Sequence, residues 1–580
     1  MIRIEEQDRL LLTHPLVPSG PIPSAQDPDG VYPYVGFVET SRRPVLQRYR
    51  FVTLENDHIR VMICPDLGGR VYSLVTKPTG RDAVASQPVI RPARILPRQA
   101  YIGGGIETNF PIAHTPSLLE PVGYRHEQRD GRVYLWCGER ELRFGMHWTL
   151  EFSLGEGEPF LAQRSLFHNP GPRAHPWMSW ANAGVPARAD TELHFPAGEV
   201  LYHGEKMATL DWQKDGPRRQ GDIHRMSAYF WRKPAVNAFG VFTPSLGVGL
   251  YHIADQSTPG IKLWSDGVGQ HEPWVTQYML DHQQVLEIQA GPLMDQSIKE
   301  KLSPGQTLCH TQFWIPTDSP RDINRLELPL PALLPPSAIP QFSWARESDT
   351  ALWLQTITAY ARQDAGLLPA APDECTNLWA PSGMDDLGDA LRWAAEKSPD
   401  RNRWLLHLGA WHAGRDEIAD ALRYLEQSRD DRSHALAGRL YRRCRNDAVT
   451  AVQCYAQIAS EVMALHPQVV CERDLALAAL GKETLCERRR WLDAVSALED
   501  EWLQERRAAL LIDEDNISAA RQLLDQTKFQ LVHQRYARTR LWHRILQREG
   551  KPEPLPPNWL GEDDLFEFGA YREYQEDIAN

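Results

Sequence analysis

The chain has 580 residues, of which 42% are hydrophobic and 19 are Trp. That is too long for one ordinary domain at about 100–200 residues each, and too apolar for a largely disordered protein. Its 76 acidic against 63 basic residues leave a net charge of -13, which argues against holding nucleic acid by phosphate neutralisation and suits a neutral or cationic ligand.

The N-terminus, MIRIEEQDRLLLTHP, is acidic where a secretory leader is basic, and its Leu10–Leu12 run is too short for the apolar core of one. No stretch reaches the ~18 consecutive apolar residues of a membrane span. The eight cysteines, Cys64, Cys137, Cys309, Cys375, Cys444, Cys454, Cys471 and Cys486, form no CxxC or other zinc or redox spacing. A reducing, cytoplasmic setting is expected, with neither metal nor cofactor.

Residues 1–34 read as an N-terminal extension. From residue 35 the chain carries short alternating runs broken by Gly, Pro, Asn and Asp, among them Gln47–Leu54, His58–Cys64, Arg70–Val75, Arg132–Cys137 and Val285–Ala290. Such lengths and punctuation predict antiparallel strands, and almost no helix-period segment intervenes, so residues 35–327 are expected to form a large all-β sandwich.

Three segments of that region carry candidate chemistry. GGGIETNFP, from Gly103, sets three glycines before Glu107 and Asn109; if extended, it points these two residues to one face and Ile106, Thr108 and Phe110 to the other. A glycine turn with a surface Glu is the plainer alternative. FHNPGPRAHPWMSWANAGVPAR, residues 167–188, offers Trp180 and Asn182 on one face of a strand. LWSDGVGQHEPWVTQYMLDHQQVLEIQAG places Glu287 and Gln289 on the face opposite Leu286, Ile288 and Ala290, with Trp264, Asp266, His271, Glu272 and Trp274 upstream. Indole faces with carboxylates and amides are the parts of a carbohydrate site; a solvent-exposed strand face would look similar. No nucleophile elbow, phosphate loop, dinucleotide fingerprint or HExxH is present.

LPLPALLPPSAIP, residues 328–340, holds five prolines and reads as an extended linker. Residues 341–580 are rich in Ala, Leu, Glu and Arg at three- and four-residue spacing and predict helices. Anchored on Gly409, the set Leu405, Leu408, Ala421 and Leu425 has tetratricopeptide-like spacing; Gly438, Tyr441, Ala451 and Tyr455 echo it, as do Ala508, Ala520 and Leu524, with Cys471–Val495 as a degraded unit. An irregular bundle is the alternative. Trp404, Trp411, His407 and His412 share faces with Leu and are expected in the core. LGEDDLFEFGAYREYQ, residues 560–575, suggests a terminal segment packed back on the protein or docking a partner.

RVMICPDLGGRVYSLVTKPTGRD, residues 60–82, resembles the opening signature of aldose 1-epimerase (galactose mutarotase-like) proteins. Together with GGGIETNFP, WANAGVP (Trp180–Pro186) and VLEIQAG, it resembles the bacterial DUF5107 branch of that superfamily, whose members often carry tetratricopeptide repeats behind the sandwich. The resemblance implies a multidomain chain, β then α: a large antiparallel β-supersandwich followed by a helical tetratricopeptide-like array. Mutarotases pair a histidine acid from a Thr-Asn-His run with a glutamate base. Here the comparable strand, Ser179–Ala183, lacks the histidine, while Glu287 is a plausible base.

The first functional expectation is therefore a glycoside hydrolase using Glu107 as acid and Glu287 as base or nucleophile, the roles being exchangeable. An aldose 1-epimerase is the second, with Glu107, His114 or His203 as the acid. A non-catalytic glycan-binding or scaffold protein is the third. Substrate-binding candidates are Asn109, His114, Trp180, Asn182, His203, Trp264, Asp266, His271, Trp274 and Gln289. The expected partner is a sugar or oligosaccharide, not nucleic acid or membrane, with a homo-oligomer or protein partner possible through the helices.

Overall fold

The computed structural model describes the chain apart from residues 1, 27–29, 42, 95–99, 113, 204–206, 225–226, 268–283, 295–298, 374–377, 499, 528–531 and 552–580. The proposed terminal segment 560–575 thus lies outside the described residues.

Among the described residues, the β half is built on two sheets, one of thirteen strands and one of eight. Pairing is antiparallel throughout both, except where Leu12 and Thr13 run parallel to Val89 and Ile90. Alternation along the strands decides which side chains enter the gap between the sheets. Leu54, Val61, Leu74 and Ile106 meet Leu135, Phe152, Leu161 and Trp314 in one core, each full burial contributing about 1.5–3 kcal/mol. A polar chain also crosses the gap: the Trp314 indole donates to Gln163 Oε1 at 2.8 Å, and Gln163 Nε2 donates to Thr108 Oγ1 at 2.7 Å.

The first 34 residues are not a detached extension. Arg3–Thr13 pairs with Val45–Glu55 over its whole length, as part of the large sheet. Leu16–Gln26 and Gly30–Thr40 form a two-stranded ribbon that reaches the helices. Ile22 is buried in a helical core with Leu406, Leu436 and Val469, and Tyr34 packs with Ile112, Leu142 and Ala345. The alternation is too weak in this proline-bearing segment for sequence reading to find the strands.

The proline-rich stretch is likewise pinned rather than hinged. Arg164 Nη1 donates to the Leu334 carbonyl at 2.6 Å and Thr149 Oγ1 to that of Pro340 at 2.8 Å. Ile339 packs on Tyr134, Trp136 and Leu166 of the eight-stranded sheet. Prolines cannot donate, but their carbonyls accept, so the extended segment caps the outer face of that sheet.

From Glu347 onward the described chain is helical. Arg401–Gly414 pairs with Ile418–Leu425, Asp431–Cys444 with Ala448–Ala456, and Glu501–Asp513 with Ile517–Gln526. A Cβ on Gly409 would lie 2.5 Å from Leu425 Cγ, and one on Gly438 2.8 Å from the Tyr455 ring. The glycines therefore admit the large residue of the following helix, the packing that stacked helical pairs need. Trp404, His407, Trp411 and His412 are buried.

Candidate functional site

The site lies on the face of the large sheet turned away from the sandwich core. Four adjacent strands there, Gly105–Asn109, Trp180–Pro186, Val285–Gly291 and Gly260–Ser265, align Glu107 with Asn182, Asn182 with Gln289, and Gln289 with Lys262. One row of polar side chains thus crosses the sheet. Glu287 is two residues along the same face from Gln289, opposite Gly184 on one side and Trp264 on the other. With strands about 4.8 Å apart and a rise of about 3.4 Å per residue, the Glu107 and Glu287 Cα atoms stand about 12 Å apart.

The glycines before Glu107 bring a turn close to the sheet. A Cβ on Gly104, whose φ is +84°, would fall 2.0 Å from the Ala85 carbonyl oxygen, and one on Gly184 2.6 Å from Gly104 Cα. Only glycine fits either position.

Glu107 is buried and held on three sides. Arg70, delivered by the Gly68–Gly69 turn and itself 2% exposed, donates from Nη2 to Glu107 Oε2 at 2.5 Å and from Nη1 to the Gly104 carbonyl. His114 Nδ1 lies 3.1 Å and Asn109 Nδ2 3.4 Å from Oε1. Burial alone would raise the Glu107 pKa, but the Arg70 charge, with His114 and Asn109, outweighs it and holds the carboxyl below its ordinary value. An ionised Glu107 does not suit the acid role expected from sequence. His114 sits in the left-handed region at φ 50°, on the loop after the strand, with its side chain 16% exposed.

Glu287 has the opposite electrostatics. Burial, reinforced by the negative Glu107, pushes its carboxyl up, against hydrogen bonds from Tyr101 and Asn182. Tyr101 donates its O–H to Glu287 Oε1, and Gln289 Nε2 donates to Oε2 at 3.2 Å. The Tyr101 ring also packs edge-on against His114, centroids 5.7 Å apart, so one residue touches both groups. Trp180 meets His114 edge-on at 6.0 Å, and Lys262 Nζ lies 4.8 Å over its ring.

The structure therefore brings together Glu107, Glu287, Asn109, His114, Trp180, Asn182 and Gln289, with Trp264 on the neighbouring strand. Asp266 follows that strand's end. His203 ends Glu199–His203, which two strands separate from Val285–Gly291; its side chain, like His271, Glu272 and Trp274, lies outside the described residues. His175 does not join the site: it stacks on Phe144 at 4.8 Å, and burial lowers its pKa to about 4. Arg70, Tyr101 and Lys262 escaped the sequence reading. Arg70 in the quoted signature of residues 60–82 and Tyr101 just before the glycines were the available signals.

Among the described residues, one group of ligand-type side chains is close enough to hold a metal: His412, Glu417 and Asp420 in the helical half. Glu417 is already paired with Arg173 at 2.8 Å and lies 3.6 Å from Arg415, cations that compete with a metal ion. No helix among the described residues is long and apolar enough to cross a membrane.

Several solved structures are similar to all or part of this chain. A TPR-domain containing protein from Parabacteroides distasonis is 46% identical, with TM-score 0.92 over 97% of this chain and 98% of that chain. A galactose mutarotase-like protein from Clostridium acetobutylicum is 11% identical, with TM-score 0.35 over 46% of this chain and 95% of its own. For a putative aldose 1-epimerase from Escherichia coli the figures are 10% identity, TM-score 0.34, and 46% and 97% coverage. Residues 353–545 match a family model described as a C-terminal domain. The model described as "Domain of unknown function (DUF5107)" matches residues 26–317, half of the chain, and the chain belongs to that family.

Proposed function

We propose that the chain is a carbohydrate-active enzyme that interconverts sugar anomers, with His114 as general acid and Glu287 as general base. The observation that carries this reading is the pairing of an imidazole with a carboxyl of raised pKa around Tyr101, the imidazole being oriented by a second, ionised carboxylate. With Nδ1 engaged by Glu107, Nε2 is the nitrogen left for a substrate. Glu287, once ionised, takes the proton from the anomeric hydroxyl. The O1–C1 bond becomes a carbonyl, the C1–O5 bond breaks, and its electron pair goes to O5, which receives the proton of His114 Nε2. Rotation about C1–C2 and the reverse steps give the other anomer. A raised pKa brings a carboxylate base nearer to working pH, where such groups are most effective.

Hydrolysis of a glycoside is the second reading, favoured by the opposed pKa shifts of the two glutamates. It requires Glu107 to act on water or the anomeric carbon, yet its oxygens are engaged by Arg70, His114 and Asn109. Glu107 is therefore assigned as a positioning residue.

Exchange NMR on freshly dissolved aldoses, beside release of aryl leaving groups from glycosides, separates the readings. Acceleration of anomer exchange is expected, falling about 10²–10⁴-fold in His114→Asn and Glu287→Gln. Release from glycosides without anomer exchange would replace the proposal with the hydrolase reading. Saturable sugar binding with neither reaction would leave a binding protein.

A further inference from the structure

Asn182 and Gln289 face each other in register on adjacent strands and are 2% and 3% exposed. Gln289 Nε2 donates to Glu287 Oε2 at 3.2 Å, and the Asn182 side chain also hydrogen-bonds Glu287. Once ionised to act as base, Glu287 only accepts, so both amides then turn their NH₂ groups toward it. Their carbonyl oxygens are then directed elsewhere, and among the described residues neither Asn182 Oδ1 nor Gln289 Oε1 has a hydrogen-bond partner. The Trp180 indole nitrogen, two residues from Asn182 on the same face, also has no hydrogen-bond partner among the described residues. Buried acceptors without donors are uncommon in folded proteins because each forfeits its hydration. Two side by side, oriented by the residue proposed as base, are a built receptor for donors.

We infer that Asn182 and Gln289 determine specificity by accepting hydrogen bonds from two neighbouring hydroxyls of the sugar. The inference rests on the proposed work of Glu287 at O1 for its ring positions: the hydroxyls nearest O1 are those on C2 and C3. The preferred substrate is an aldose with both of these free, and 2-deoxy, 3-deoxy and 2-acetamido sugars are discriminated against. Neighbouring strands stand about 4.8 Å apart, a span that two hydroxyls on adjacent ring carbons can bridge. Discrimination is strong because losing a hydroxyl leaves a protein acceptor dry, not merely a contact unmade.

The test is calorimetric and saturation-transfer NMR titration of the full chain with glucose, galactose, and their 2-deoxy, 3-deoxy and 2-acetamido derivatives, with anomer exchange followed in parallel. Wild type is expected to bind each parent sugar at least roughly tenfold more tightly than its deoxy derivative. Gln289→Leu and Asn182→Leu should each abolish discrimination at one ring position. Equal binding of parent and deoxy sugars to wild type overturns the inference without relying on any variant, as does failure of every sugar to bind. Discrimination in binding without accelerated exchange supports this inference and removes the proposed reaction. Accelerated exchange without discrimination does the reverse.

Discussion

Replacing Glu107 with Gln removes the negative charge that faces Arg70 across 2.5 Å, in a pair whose side chains are 2% and 0% exposed. Water does not reach the guanidinium to take over, so the variant keeps a buried cation with weaker partners. Breaking a buried pair from one side costs about 3–5 kcal/mol, and the amide oxygen of Gln still accepts, so the lower end is expected. For domains of 150–250 residues, 1 kcal/mol moves Tm by about 2–4 °C, less in a larger unit, which makes the expected fall about 5–10 °C. The pH dependence follows from the direction of the shift. Glu107 is more acidic in the folded state than its ordinary 4.5, so its stabilisation is fully present above that pH and is lost as pH falls through the folded value. Differential scanning calorimetry of both proteins at neutral pH and well below pH 4.5 should show a gap that narrows in acid. A purely structural role would end there. If Glu107 also orients His114, kcat for anomer exchange falls while KM is kept. A variant that melts with wild type at neutral pH, or a gap that does not narrow in acid, would refute the ion-pair reasoning.

Glu139 supplies a contrasting case, since burial raises its carboxyl to about 8, with Ser117 and Trp148 as hydrogen-bond donors. Its folded form holds a proton longer than its unfolded form, so stability declines from about pH 4.5 to about pH 8. Glu139→Gln should match wild type in acid and exceed it above that window, as measured by thermal melts across pH. Ile22→Ala, in the ribbon that enters the helical core, should cost about 2–5 kcal/mol by leaving a cavity and should speed proteolytic cutting between the ribbon and the helices. A sandwich fragment ending at residue 327 should aggregate or melt earlier than one ending at residue 345, because only the longer keeps Leu334, Ile339 and Pro340 on the sheet. Equal solubility and melting of the two fragments would restore the stretch to a free linker.

What could be read before folding was local. Period-two alternation in Val285–Gly291 turns Leu286 and Ile288 into the core and Glu287 and Gln289 away from it, as the strand geometry demands. The glycines before Glu107 announced a turn that only glycine fits, and Gly409 and Gly438 announced the helical pairs. The ribbon over residues 16–40 and the docking of the proline-rich stretch were not legible. Both are held by partners on distant segments, and neither carries a strong periodicity.

The amino-acid order by itself determined the β-then-α architecture and placed the two glutamates on strand faces, because side-chain direction in a strand depends only on neighbouring residues. The difference between those glutamates was decided by the tertiary structure. Arg70 lies 37 residues from Glu107, and Tyr101 lies 186 residues from Glu287. A carboxyl's pKa depends on burial and on the charges beside it in space, so one glutamate became the ionised anchor of His114 and the other a carboxyl of raised pKa, an assignment that spacing along the chain does not contain.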